Sequence, residues 1–190
     1  MPDVYRGLRT FGWEDHGPDM RRAQGDANRP AFLGALGSSW FPAITDVHER
    51  LSDAATPARV ADVGCGEGWS SIAMALAYPH AHVDGYDIDV PSVTAARLHA
   101  EGKGVSDRAH FHVEDLSDAS IPGTYDLVTA FECIHDMSDP VAALRAMRQL
   151  RAPGGTVVIA DELVAGTFDP DAGELERVFY GFSLSVCLPD

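Results

Sequence analysis

Between residues 59 and 161, short apolar segments alternate with longer segments whose composition is typical of helices. The apolar segments are residues 59–63, 81–86, 109–113, 125–131 and 156–160, and the helical segments are residues 69–77, 91–101 and 141–150. A regular alternation of this kind predicts an α/β domain with a doubly wound, mostly parallel sheet and helices on both faces. Ligands of such sheets bind beyond the carboxyl ends of the strands, so the residues after each apolar segment are the candidates for a functional site.

A glycine-rich turn joins the first apolar segment to the first helical one. It reads Asp62-Val-Gly64-Cys-Gly66-Glu-Gly68. Gly64 permits a tight turn, and Gly66 lets a ligand approach the backbone because no Cβ stands in the way. The glycine spacing is G-x-G-x-G, whereas the dinucleotide fingerprint is G-x-G-x-x-G. Asp62 precedes the first glycine by two residues, and a carboxylate there suits a ligand with an ammonium and a sulfonium group better than a pyrophosphate.

Two further acidic residues follow the next two apolar segments. Asp87 comes nineteen residues after Gly68, at the end of the second predicted strand. A carboxylate in that place can accept hydrogen bonds from both hydroxyls of a ribose, and the alternative is that it caps the next helix. Asp115 follows the third predicted strand. Its carboxylate can accept an adenine amino group, while Leu116 offers a backbone N–H to the ring, although acids are also common in plain turns.

These three acidic positions together resemble motifs I, II and III of the class I S-adenosylmethionine-dependent methyltransferases. Residues 125–132 and 150–155 resemble the fourth-strand motif of that family and its turn before the fifth strand, so the likeness runs from residue 60 to residue 162. Residues 132–140 are similar to small-molecule methyltransferases of the actinobacterial kind. The resemblance implies a Rossmann-like methyltransferase fold, S-adenosyl-L-methionine as cofactor and transfer of a methyl group to a small-molecule acceptor.

The resemblance also implies a role for individual residues. Asp62, Gly64 and Gly66 would cradle the methionine part of the cofactor, Asp87 would hold the ribose, and Asp115 with Leu116 would hold the adenine. Phe131 and Glu132 would lie near the sulfonium, or else be a core aromatic and a surface acid. The predicted cofactor-binding residues are Asp62, Gly64, Cys65, Gly66, Asp87, Ile88, Asp115, Leu116, Phe131 and Glu132.

His135 is the predicted catalytic residue. It falls just past the strand that would point at the methyl group, where a general base could take a proton from the acceptor. Asp136 could orient the imidazole, and the alternative is that the histidine caps or orients the next helix. The remaining histidines are scattered and no cysteines have C-x-x-C spacing, so we predict no metal.

The ends of the chain differ from the repeating middle. Residues 1–29 are polar and glycine-rich and are predicted to form an arm or lid, whereas residues 30–190 form the cofactor-binding domain with its core at 58–162. Only 29 residues follow Asp161, and they contain no strand pair, so we expect a fold that is incomplete at its C-terminus. The fifth strand would then be a bare edge that invites a homodimer, and the catalytic competence of the chain would be in doubt.

Charge and composition limit the classes of partner that we expect this chain to bind. The net charge of −15 repels phosphate backbones and anionic lipid, so we expect neither a nucleic-acid nor a membrane partner. No apolar run is long enough for a membrane span, and the start of the chain lacks a secretory pattern. Three cysteines, an odd number, fit buried thiols in a reducing cytoplasm.

Two other functions remain open at this point. A nicotinamide-dependent oxidoreductase is disfavoured by the glycine spacing and by the lack of a Tyr-x-x-x-Lys pair, since Lys103 is the only lysine. The other is a non-catalytic regulatory or interaction module that binds S-adenosylmethionine.

Overall fold

The structure is a computed structural model that describes residues 2–8, 12–116 and 124–187. Its strands are β1 (Arg59–Val63), β2 (His82–Asp87), β3 (Ala109–Val113), β4 (Tyr125–Phe131) and β5 (Arg151–Ala160). Its α-helices are α1 (Pro2–Tyr5), α2 (Pro18–Ala31), α3 (Thr45–Ser52), α4 (Trp69–Ala77), α5 (Val90–Lys103), α6 (Pro140–Leu150) and α7 (Glu174–Phe182). A π-helical segment, Phe32–Trp40, follows α2 directly.

The five strands form one parallel sheet in the order β3-β2-β1-β4-β5. This topology confirms the predicted doubly wound Rossmann-like fold, with the strand order reversing at β1. In the register, Val63 lies beside both Tyr86 and Ala130. The carboxyl ends of β1, β2 and β4 therefore meet at one edge of the sheet, where the predicted site residues follow them.

Apolar side chains fill the space on both faces of the sheet. One cluster contains Ile72 and Met74 of α4, Val93 of α5 and Phe111 of β3. The other contains Met147 and Leu150 of α6 with Tyr125 and Val128 of β4. Each buried aliphatic side chain of this kind contributes roughly 1.5–3 kcal/mol by leaving water, so the two clusters stabilise the sheet beneath the strand ends.

Several element boundaries lie one residue from the predicted ones, and two lie further away. The fifth strand begins at Arg151 rather than at residue 156, because its register against β4 is irregular and Gly155 lets the backbones come close; a Cβ there would lie 2.8 Å from the carbonyl oxygen of Tyr125. Helix α5 extends beyond the predicted end at residue 101 to Lys103, and Gly104, with a φ of +68°, caps it in the left-handed conformation.

The described residues before β1 are mostly helical. Residues 18–29, predicted as part of an arm or lid, lie within α2. In α3, the side chains of Val47 and Leu51 are buried. Arg50 on α3 donates two hydrogen bonds to Asp126 on β4, at 3.0 and 2.9 Å, and so fixes α3 against the sheet.

Several apolar side chains in the region after β5 are exposed to solvent. Within the described residues β5 is the edge strand, and α7 follows it after an irregular stretch. Leu163, Phe168 and Leu175 in this region are largely exposed. In the part of the chain that the structure describes, no helix is both long and apolar enough to cross a bilayer.

Candidate functional site

A cavity of about 300 Å³ lies at the carboxyl ends of the strands. Its wall is formed by the turn after β1, the ends of β2 and β4, the residues after β3 and the inner side of α2. The structure brings nine of the ten predicted cofactor-binding residues into this wall: Gly64, Cys65, Gly66, Asp87, Ile88, Asp115, Leu116, Phe131 and Glu132. Its volume is at the lower end of the range usual for small-molecule sites.

The glycine turn has the geometry that its sequence predicts. Gly64 and Gly66 both have left-handed backbones, with φ of +66° and +51°. A Cβ at Gly64 would lie 2.7 Å from the sulfur of Cys133, so no larger residue fits there. A Cβ at Gly66 would meet no atom within 4 Å, which leaves the backbone of the turn open toward a ligand.

Asp87 joins the second strand to this turn. Its carboxylate accepts a hydrogen bond from the backbone N–H of Gly66 at 2.7 Å and another from that of Asp89 at 2.9 Å. Burial raises the pKa of Asp87, although these hydrogen bonds oppose the effect. The helix-capping role considered for Asp87 belongs to Asp89, which accepts a hydrogen bond from the N–H of Ser92 at 3.0 Å.

Asp62 is the one predicted cofactor residue outside the wall. Its side chain is buried, and its carboxylate accepts hydrogen bonds from the hydroxyls of Ser70 and Ser71 at 2.6 Å and of Thr129 at 2.7 Å. Burial raises its pKa, and the three hydroxyls oppose that shift. This placement does not fit direct contact with a ligand. Asp62 instead connects the start of α4 to β4 beneath the turn. The sequence pattern does not show that the buried hydroxyls in this place need an acceptor.

Glu132, at the end of β4, has an unusual backbone. It is the only non-glycine residue with a positive φ (53°) among those the structure describes. Such a conformation is sparsely populated and persists where the surroundings impose it, often at functional sites. Burial, a hydrogen bond to Glu162 and the charges of Glu162 and Asp161 raise the pKa of Glu132 to about 8. The Glu132 carboxyl group, in the wall of the cavity, therefore keeps its proton to a higher pH than an ordinary glutamate because its pKa is raised.

His135, the predicted general base, lies beside the cavity rather than in its wall. Its Nδ1 atom lies 2.7 Å from Oδ1 of Asp161, and its Nε2 atom lies 3.2 Å from Oδ1 of Asp136. Burial alone would lower the pKa of His135, but the hydrogen bond to Asp161 and the surrounding negative charges outweigh it and raise the pKa. Because Asp161 follows β5, far along the sequence, its contact with His135 was not predictable from spacing.

The N-terminal helical region supplies wall residues that the sequence reasoning missed. They are Trp13, Arg21, Gln24, Gly25, Asn28 and Phe32. Phe32 is buried, with its ring 5.5 Å from that of Phe131. Arg21 is the only arginine or lysine in the described wall, and its guanidinium donates to the carbonyl of His16 at 2.6 Å. The only signal in the sequence was aromatic residues within a polar segment.

The strand order and the acid-bearing strand ends are those of the class I S-adenosylmethionine-dependent methyltransferases. A sequence profile of the Methyltransferase domain family matches residues 56–178, and the chain belongs to this family. Membership implies the use of S-adenosylmethionine, so the alternative of a nicotinamide-dependent oxidoreductase is set aside.

Named relatives agree with this assignment. The chain is 33% identical over 157 residues to a ubiquinone biosynthesis O-methyltransferase of Marinobacter nauticus, covering 74% of this chain and 64% of that protein. It is 43% identical over 100 residues to the protein of that name from Bordetella pertussis, covering 52% and 40%. The chain thus spans less than two thirds of the length of these relatives.

A solved structure supports the fold. The mitomycin 7-O-methyltransferase MmcR superposes with a TM-score of 0.73 over 98% of this chain and 51% of that one. Its sequence identity is 22%, so the match bears on the fold alone.

Proposed function

We propose that the chain binds S-adenosyl-L-methionine in the cavity at the strand ends and transfers its methyl group to a small-molecule acceptor. The observation that carries this proposal is the hydrogen bond between Gly66 and Asp87 within the cavity wall. It holds an open glycine turn and a ribose-binding carboxylate side by side, as one adenosine derivative with a methionine tail requires.

The wall offers the polar groups that this cofactor needs. The indole Nε1 of Trp69 is buried without a hydrogen-bond partner, although Trp69 lines the cavity. A buried donor without a partner costs roughly 1–3 kcal/mol, so an acceptor on a ligand would relieve it. The open backbone at Gly66 provides the close approach. These features fit a polar, extended ligand rather than an apolar one.

Each part of the cofactor has a candidate partner. Asp87 would accept the two ribose hydroxyls, and Asp115 with the N–H of Leu116 would hold the adenine. Gly64 and Gly66 would follow the methionine chain, with Cys65 beneath it and Ile88 against the adenosine. Arg21, as the only described cation of the wall, would pair with the carboxylate of the methionine part. Phe131 and Glu132 would lie near the sulfonium.

Methyl transfer requires the protein mainly to align the acceptor with the methyl group. When bound, the cofactor supplies a methyl group on a positively charged sulfur, and the acceptor displaces it in line. The protein's part is to align the acceptor with that methyl group and to exclude water. Small molecules are favoured as acceptors because the chain carries a charge of −15, which disfavours nucleic acid, and because named relatives are O-methyltransferases. The cytoplasm is the location that this proposal implies.

Calorimetry with purified protein tests the binding half of the proposal. We expect S-adenosylmethionine and S-adenosylhomocysteine to bind and NAD not to bind. Asp87→Ala removes both hydrogen bonds to the ribose and should weaken binding about 100-fold, whereas the exposed Glu101→Ala on α5 should leave it unchanged. A normal affinity for Asp87→Ala in a protein that still folds would overturn the proposed site.

The catalytic half needs a separate measurement. Release of S-adenosylhomocysteine in the presence of phenolic and amine acceptors distinguishes a methyltransferase from a module that only binds the cofactor. We expect acceptor-dependent release. Binding without release across such a panel would favour the regulatory module considered from the sequence, and a cofactor retained through purification, identified by mass spectrometry, would still establish the binding site.

A further inference from the structure

Two histidines and an aspartate meet on one face of the sheet, on strands β2 and β3. His110 and His112 are two residues apart on β3, so both side chains lie on the same face of that strand. Asp84 lies directly beside His110 on the neighbouring strand β2. Its Oδ1 atom lies 3.2 Å from Nε2 of His112 and 3.8 Å from Nδ1 of His110. One carboxylate oxygen therefore faces two imidazole nitrogens.

We infer that Asp84, His110 and His112 form a binding site for a divalent transition-metal ion such as Zn²⁺ or Ni²⁺. None of the three is among the described residues that line the cavity, so this site is separate from the proposed cofactor site. The inference revises the expectation, drawn from the sequence, of no metal. Spacing along the chain did not reveal the site, because the carboxylate comes from a strand 28 residues earlier than His112.

The neighbours of this group hold its side chains in the orientation that a metal ion needs. Oδ2 of Asp84 accepts hydrogen bonds from the Tyr125 hydroxyl at 3.0 Å and from the Arg59 guanidinium at 3.3 Å, which leaves Oδ1 facing the histidines. The ring of His112 stacks on that of Tyr86, with the ring centroids 4.9 Å apart. Neighbours that fix the orientation of the ligands in this way are a regular feature of metal sites.

The distances suit such an ion once one imidazole ring has turned. An ion about 2.0–2.2 Å from each ligand atom holds neighbouring ligand atoms roughly 3.0–3.5 Å apart. The two distances from Asp84 Oδ1, 3.2 and 3.8 Å, lie in or close to that range. The two ring nitrogens that face Asp84 lie more than 4.8 Å apart, so His110 has to rotate toward His112. The His110 side chain is 50% exposed to solvent, which leaves room for this rotation.

The donor set selects among metal ions. Two imidazole nitrogens with one carboxylate oxygen suit Zn²⁺, Ni²⁺ or Cu²⁺, whereas Mg²⁺ and Ca²⁺ prefer oxygen ligands. The guanidinium of Arg59 beside Asp84 opposes the binding of a cation, whereas the net charge of −15 favours it. An ion in this place would join the edge strand β3 to β2 through their side chains. Because it would bind the folded chain, the Tm should rise with its concentration.

Titration of chelator-treated protein with ZnCl₂, without any cofactor, tests this site. Every protein in the titration carries His135→Ala, because His135 lies 2.7 Å from Asp161 and that pair offers other metal ligands. We expect one saturable site by calorimetry, with weaker binding of MgCl₂. His110→Ala and His112→Ala should each lower the affinity for Zn²⁺ about tenfold or more, since even the loss of a ligand's hydrogen-bond partner has an effect of that size. The exposed His80→Ala should leave the affinity unchanged, and thermal melts without metal verify that each variant is folded.

A second measurement uses the unaltered protein. Cu²⁺ broadens proton resonances near its binding site, so the ring protons of His110 and His112 should broaden together at substoichiometric CuCl₂, while those of the exposed His80 should not. Equal broadening of all histidines, broadening of only one member of the pair, or an affinity for Zn²⁺ that His112→Ala does not change would show an adventitious ion only and would overturn the assignment.

Discussion

At the scale of single residues, Asp62 at the start of the glycine turn has a structural role that can be distinguished from direct contact with the cofactor. The structure surrounds the Asp62 carboxylate with the hydroxyls of Ser70, Ser71 and Thr129. Asp62→Ala leaves these buried donors without their acceptor, so we expect the free energy of unfolding to fall by about 3 kcal/mol. For a chain of this length, that corresponds to a drop in Tm of roughly 6–12 °C by calorimetry.

The same variant distinguishes this role from the contact that the sequence suggested. If Asp62 touched the cofactor directly, Asp62→Ala would lose affinity for S-adenosylmethionine while its Tm stayed near that of the parent protein. Glu101→Ala is the control for loss of an acidic side chain on the surface, and it should change neither quantity.

Asp87 predicts a pH dependence of cofactor binding. Burial raises its pKa, so the carboxyl is protonated at a higher pH than an ordinary aspartate. The ionised form accepts hydrogen bonds from both ribose hydroxyls through two charged oxygens, whereas the protonated form has one oxygen that carries a proton and so binds them more weakly. Affinity should therefore be full above this raised pKa and fall as the pH is lowered through it, as calorimetry at a series of pH values from neutral to acid would measure.

Asp87→Asn provides the matched comparison. It keeps the size of the side chain but has no titrating group, so its binding should be weaker at neutral pH and nearly independent of pH over that range. A steep pH dependence that survives in Asp87→Asn would assign the effect to another group and remove Asp87 from the ribose contact.

At the scale of elements, the sheet was more predictable than the helix over the cavity. The predicted strands are apolar runs that are followed by glycine or by an acidic residue, and β1, β3 and β4 have the predicted bounds. Helix α2 has no buried residue and contains Gly25 and Pro30, so nothing local indicates a helix. It is stabilised by packing on the π-helical segment and α4, which short-range patterns do not record.

Helix α2 carries a prediction through Arg21. If its guanidinium pairs with the carboxylate of the methionine part, Arg21→Gln should weaken binding of S-adenosylmethionine about tenfold while leaving adenosine, which lacks that carboxylate, unaffected. Arg22→Gln is the matched control, because Arg22 is the next residue on α2 and is largely exposed outside the cavity wall. Equal losses for both ligands would mean that Arg21 supports α2 rather than the cofactor.

At the scale of the whole molecule, the open edge of the sheet and the net charge have opposite effects on dimer formation. Strand β5 is the last strand in the described sheet, and its side chains are mostly only partly buried. An unpaired edge favours pairing with a second copy. Two copies that each carry −15 repel one another, and salt screens this repulsion over a Debye length of about 10 Å at 0.1 M.

We therefore expect a dimer that forms more readily as salt is raised. Light scattering after size exclusion should move from the 20.4 kDa monomer toward twice that mass between low and high salt. Ile159→Lys, which places a charge on the edge strand, should keep the protein monomeric, since lysine is a common guard of natural sheet edges. Val141→Lys adds the same charge at an exposed apolar position on α6 and should still allow the dimer to form. A monomer at every salt concentration, or equal effects of the two variants, would show that β5 is not the contact.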